Sequence, residues 1–170
     1  MNIREYQLKS KRTFPTLGSQ ERDLLHTKLG VITEFGETLD VFKKNIAYGK
    51  PIDVINLQEE LCGDLMFYLV NEATLLNEQL YDVYPDDYPQ QTQEFYLDQL
   101  MHTFLYYLNT DWPTIDIIKR ILFISDGLGL DFFQGLENNV NKLLIRYPLG
   151  FDNEKALNRN LEEERKELEK

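Results

Sequence analysis

Apolar residues recur every three to four positions through most of this chain, the period of an α-helix rather than a strand. Leu25, Leu29, Ile32, Phe35, Leu39 and Phe42 fall on one stripe of a long helix over 25–44. Ser19 is the predicted N-cap of that helix. Glu34 and Glu37 fall on its other side, beside Gly30 and Val41. A second helix starts at Asp53 or Asn56, either of which can cap it, and runs to about Leu76, with Glu60, Asp64, Phe67 and Asn71 on one stripe. Gln93–Asn109 repeats the pattern with Phe95, Leu97, Leu100, Met101, Phe104 and Leu108. Asp111-Trp112-Pro113 reads as a break before a helix over about 115–125, and Asp131 as the cap of a helix ending at Arg146. Ile3, Tyr6 and Leu8 mark a short amino-terminal helix, and Pro15, Gly18, Gly49, Pro51, Gly127 and Gly129 are turn residues. The tail, about 152–170, reads as a charged helical segment with Leu157, Leu161 and Leu168 as weak anchors. The expectation is an all-α fold in one domain spanning residues 1–170.

Composition narrows what such a bundle can bind. The 170 residues are 42% hydrophobic, enough for one core. A net charge of −11 argues against a nucleic-acid backbone as partner, because phosphate contacts need Lys and Arg. It leaves a nucleotide possible if metal cations neutralise both sides. The single Cys62 forms no internal disulfide and fits a reducing compartment. No apolar run has the length of a membrane span, and Met1–Tyr6 does not read as a signal peptide, so a cytoplasmic protein without a membrane partner is expected.

The two carboxylate pairs are the candidate chemistry. Glu34 and Glu37 are three residues apart and project together; Glu60 and Asp64 are four apart. Adjacent carboxylates repel unless something positive lies between them. Four oxygen donors from two antiparallel helices suit magnesium, with manganese as a substitute. Solvated surface pairs are the common alternative. Against that stand Gly30, Gly36 and Gly63 inside the same helices, each costing about 1 kcal/mol relative to Ala, which points to close backbone approach or room for a ligand. His26 is a weaker ligand candidate, since a lone histidine is more often simply packed or exposed.

Glu34-Phe35-Gly36-Glu37, then Lys43-Lys44, then Glu59-Glu60-Leu61-Cys62-Gly63-Asp64 followed by Leu65-Met66-Phe67-Tyr68 resemble the MazG-like all-α NTP pyrophosphohydrolases. The closing run Asn139, Lys142, Arg146, Tyr147, Pro148, Gly150 and Phe151 resembles that family too, as do Glu5-Tyr6-Gln7, Arg12-Thr13 and Leu25-His26 in its phage-type and bacterial members. The likeness covers roughly 2–75 and 115–168. It implies a four-helix-bundle-like core built from the two acidic helices and those near 115–125 and 131–146. About 77–113 is then an inserted helical segment. It also implies magnesium at Glu34, Glu37, Glu60 and Asp64, with Glu34 or Glu37 helping to activate water. Lys44, Asn139, Lys142, Arg146 and Tyr147 are implied substrate contacts. The implied reaction converts a nucleoside or deoxynucleoside triphosphate to the monophosphate and pyrophosphate, in a homodimer or homotetramer. One departure stands out. The family has Glu-Leu-Gly-Asp where this chain has Glu60-Leu-Cys-Gly-Asp64, one residue longer. Either a bulge absorbs the residue and keeps Glu60 aligned, or Leu61 takes a ligand's place and Glu59 or Glu60 compensates imperfectly.

Two rivals belong to other classes. The extra residue favours a catalytically impaired relative that binds a nucleotide or a protein. A di-iron bundle needs Glu-x-x-His pairs, and the sequence has none. Nor does it contain a Walker loop, a zinc spacing or a Ser-His-Asp arrangement.

Overall fold

The computed structural model describes residues 1–85, 88–109 and 112–169, and among these every regular element is helical, apart from an isolated bridge between Pro148 and Gly150. Asp111 of the expected break, Asp86 and Asp87 of the turn-rich link, and the last tail residue, Lys170, lie outside the described residues.

Helix α1 spans Ile3–Ser10, started by a reciprocal cap between Asn2 and Glu5, and runs into a 3-10 turn over Lys11–Thr13. Helix α2, Gln20–Tyr48, starts at Ser19, whose side chain accepts from the Arg22 amide, and stops at Gly49 in the left-handed region (φ 65°). Asp53, not Asn56, caps α3, Val54–Gln58; a π-helical turn, Glu59–Asp64, then leads into α4, Leu65–Leu75. Helix α5 is Gln93–Asn109, α6 is Thr114–Gly127, and α7 is Phe132–Arg146, capped by Asp131. Two short helices close the chain, α8 at Asn153–Leu157 and α9 at Leu161–Leu168.

The two acidic helices lie side by side, α2 along α4, with α7 across the π turn and α6 behind α4. Helix α1 packs on both α4 and α7, and α9 lies on α7. The core includes Tyr6, Val31, Phe35, Leu61, Leu65, Leu69, Ile118, Ile121 and Leu136. Helix α5, from the segment expected as an insertion, is built into this core: Tyr96 and Leu100 are buried, and the Phe104 ring sits 5.0 Å from Phe35. Other aromatics of that segment, Tyr81 and Tyr84, are exposed.

The apolar stripe expected of α2 is corrected. Phe35 and Phe42 are buried and Leu39 partly so, but Leu25 and Leu29 are 58% and 54% exposed, and Ile32 is exposed as well. The face that meets α4 carries Thr27, Gly30, Val31, Phe35, Thr38 and Phe42. Small residues win there because the helices approach closely. A Cβ on Gly30 would stand 2.2 Å from Cδ1 of Tyr68 on α4. The Thr27 and Thr38 hydroxyls donate to carbonyls one turn back, so their burial leaves no donor unpaired. Gly36, by contrast, has open space around it.

Candidate metal and anion site

Carboxylates from α2 and the π turn meet on one side of the bundle. Glu34, Glu37 and Glu60 each place an oxygen within 4.8 Å of the others. The π turn makes this possible. Its wider i→i+5 repeat takes up one extra residue; the amide of Leu65 donates to the carbonyl of Glu60. Of the two alternatives the sequence left open, the structure has the bulge: Leu61 points into the core, and Glu60 faces Glu34 and Glu37.

This cluster is electrostatically strained. Burial, with Asp64, Glu37 and Glu60 nearby, pushes the Glu34 carboxyl up to about 9, and a hydrogen bond to Glu60 adds to the rise. Burial first, then Asp64, Glu37 and Glu59, raise Glu60 to about 7, with Lys142 opposing. At neutral pH Glu34 thus holds a proton where a cation could sit. Hard oxygen donors that keep protons for want of positive charge fit magnesium or manganese.

Asp64 is placed differently from the other three. Lys142 Nζ donates to both of its oxygens at 2.7 Å and to Glu59 Oε1 at 2.7 Å. Asn139 Nδ2 donates to Asp64 at 2.7 Å, and Asn139 in turn accepts from the buried Tyr6 hydroxyl at 2.7 Å. Burial opposes the charge on Lys142, but Asp64 and Glu59 outweigh it and hold the ammonium protonated. Lys142 is 1% exposed. Lys142 and Asn139, expected as triphosphate contacts, here hold carboxylates, Lys142 those of Asp64 and Glu59 and Asn139 that of Asp64, and neither faces solvent.

Arg146 is also engaged. Its guanidinium binds Glu164 on α9, with Nε to Oε1 at 2.7 Å, and Arg159 binds the same carboxylate at 2.9 Å. Tyr147 is buried against Phe67 and Leu143. Lys44 lies elsewhere, 51% exposed and paired with Asp40 one turn back, and does not line either cavity beside the carboxylates.

One cavity, of about 320 Å³, is walled by the carboxylates on one side and by Arg159, Leu161, Glu164 and Arg165 on the other. A second, of about 380 Å³, shares Glu34, Asp64 and Arg159 with it and is lined further by His26, Phe67, Tyr68, Arg146, Tyr147 and Phe151. His26 is outside the three-carboxylate cluster. Its ring meets Tyr68 edge-on at 5.6 Å, its buried Nδ1 bonds to no described protein group, and burial lowers its pKa. The arrangement offers an acidic wall that could hold a cation, three guanidinium groups and an aromatic recess.

Sequence reasoning missed three of these parts. Tyr6 was legible as an apolar residue of α1 and as part of the Glu5-Tyr6-Gln7 likeness, and nothing local ties it to Asn139. Arg159 and Glu164 were visible only as members of a charged tail. Compared with known proteins, the chain matches no protein-family model, no curated protein and no solved structure.

Proposed function

We propose that this protein is a magnesium-dependent nucleoside triphosphate pyrophosphohydrolase of the MazG-like type. The observation that carries the reading is the meeting of Glu34, Glu37 and Glu60 beside a recess lined by aromatic rings and guanidinium groups. Glu34, Glu37 and Glu60 would hold the metal, with Asp64 beside them. Bound magnesium, or manganese in its place, would offset polyphosphate charge and make water a better nucleophile. The chain's own residues do the rest. Lys142 and Asn139 hold the Asp64 carboxylate in one orientation, and Tyr6 holds Asn139. Ionised once a cation takes the place of the cluster's proton, Glu34 or Glu37 would accept the proton of the attacking water. The new P–O bond forms as the bond between the α and β phosphoryl groups breaks, giving monophosphate and pyrophosphate. The aromatic recess admits a base, and the guanidinium groups lie where phosphate oxygens would pass. Such a substrate suits a cytoplasmic protein, and the exposed Leu25, Leu29 and Ile32 suit a homodimer or homotetramer.

The test is a panel of ribo- and deoxyribonucleoside triphosphates with magnesium, assayed for pyrophosphate and monophosphate. Release from at least one nucleotide, lost by 100-fold or more in Glu34→Gln, is expected. A second reading follows from Lys142, which occupies both Asp64 oxygens and leaves three carboxylates in the cluster: an impaired member that binds nucleotide without hydrolysing it. Metal-dependent nucleotide binding without pyrophosphate release would select it.

A further inference from the structure

The carboxylate of Glu164 is 4% exposed, yet it sits on an eight-residue helix with few apolar anchors. Leu168 is the buried apolar residue of α9, while Leu161 and the preceding Leu157 are 62% and 85% exposed. What encloses Glu164 is cationic: Arg146 at the end of α7 grips both oxygens, and Arg159 in the link before α9 grips one of them. Both arginines line the aromatic cavity, and Arg159 and Glu164 also line the carboxylate cavity. Two guanidinium groups closing on one carboxylate reproduce the contact they would make with phosphate oxygens. The geometry is that of an occupied anion site on the boundary between the two cavities.

We propose that Arg146 and Arg159 form a subsite for the polyphosphate end of the substrate, that Glu164 fills it in the free protein, and that α9 is a latch which the polyphosphate displaces. The identity of the anion rests on the pyrophosphohydrolase reading; the latch itself rests on the contacts of α9. Displacement is cheap for three reasons. The incoming phosphate has more charge and more acceptor oxygens than the carboxylate it replaces. A further polar tether of α9 to the bundle, Arg165 to Asp53 at 3.1 Å, is exposed and therefore weak. And removing Glu164 takes one negative charge out of a cavity already lined by Glu34, Glu37, Glu59, Glu60 and Asp64. The non-helical Asn158, Arg159 and Asn160 between α8 and α9 supply the hinge.

The test titrates inorganic tripolyphosphate, with magnesium, into the 170-residue protein and its variants by calorimetry, so no hydrolysis is needed. Glu164→Gln should bind at least 5-fold tighter than the parent. Leu168→Ala, which loosens the latch without touching the arginines, should also bind tighter, and Arg159→Ala more weakly. Amides of 161–168 should exchange hydrogen faster when tripolyphosphate is added to the parent. Unchanged or weaker binding by Glu164→Gln overturns the proposal. So do slowed or unchanged exchange in α9, and a failure of tripolyphosphate to bind any of these proteins. If the nucleotide panel yields no pyrophosphate while these binding results hold, the hydrolase reading falls and the latch stands. If pyrophosphate is released but Glu164→Gln leaves affinity unchanged, the latch alone falls.

Discussion

Glu34 and Lys142 set the electrostatics of the site from opposite sides. The Glu34 carboxyl is held up to about 9 against an ordinary value of 4.5, so between those two pH values the folded chain keeps a proton that the unfolded chain has released. Its contribution to stability is therefore full below about pH 4.5 and lost as pH rises towards 9. Glu60, raised to about 7, adds to the same slope at lower pH. In chelator, the melting temperature of the parent should fall relative to Glu34→Gln as pH goes from 5 to 9, with the two closest at the acid end. Magnesium should shrink that difference, because cation and proton compete for one place. A difference independent of pH would show that Glu34 is not crowded. Lys142 is the complementary case. Lys142→Met leaves Glu59 and Asp64 without their buried cation and should destabilise the protein by about 3 kcal/mol in denaturant titration. A loss below about 0.5 kcal/mol, the range of an ordinary surface change, would count against the buried pairing.

The helices themselves were largely written in local signals. Ser19, Asp53 and Asp131 are caps whose side chains accept from an amide three residues on, and Gly49 closes α2 through a backbone angle suited to glycine. Which face of α2 turns inward was not local. Leu25, Leu29 and Ile32 are the larger residues, but the close approach to α4 favours Gly30 and the threonines. Gly30 and Gly36 make a matched test. Gly30→Ala drives a methyl into the Tyr68 ring, so the helix-propensity gain of about 1 kcal/mol is outweighed by overpacking of about 1–3 kcal/mol. Gly36→Ala meets nothing and should raise stability by about 0.5–1 kcal/mol. Equal effects from the two in thermal melts would show that α2 and α4 are not so close at Gly30. The π turn could be anticipated only as one of two alternatives between Glu60 and Asp64, a bulge or a regular helix; packing of α7 across it and burial of Leu61 chose between them.

Taken as one body, the bundle leaves an apolar side uncovered. Helix α2 exposes Leu25, Leu29 and Ile32, and α5, packed on α2 through Phe104 and Phe35, exposes Met101, Leu105 and Leu108. A second copy covering these residues would explain why large apolar side chains stand outward along two neighbouring helices. Light scattering should give a mass of at least twice 20.1 kDa for the parent, and Leu29→Glu should lower it to the monomer. A monomeric parent would remove the homo-oligomer from the reading. Among the described residues no helix is long and apolar enough to cross a membrane, so this side is not accounted for by a membrane-spanning helix.

Periodicity, caps and turn residues determined that the chain is helical, where most helices begin and end, and that two acidic pairs sit on two successive helices. Those signals act over one or two helical turns, a span on which a linear pattern is complete. The tertiary structure decided what such patterns do not encode: that Glu60 joins Glu34 and Glu37 while Asp64 goes to Lys142, that Tyr6 steadies Asn139, and that Arg146 closes on Glu164. A buried charge takes whichever opposite charge the fold brings within reach, and here Lys142 and its partners Asp64 and Glu59 are 78 and 83 residues apart in the chain. Charge pairing at that separation is settled by packing geometry, and the sequence pointed Lys142 and Arg146 to a phosphate rather than to the carboxylates they hold.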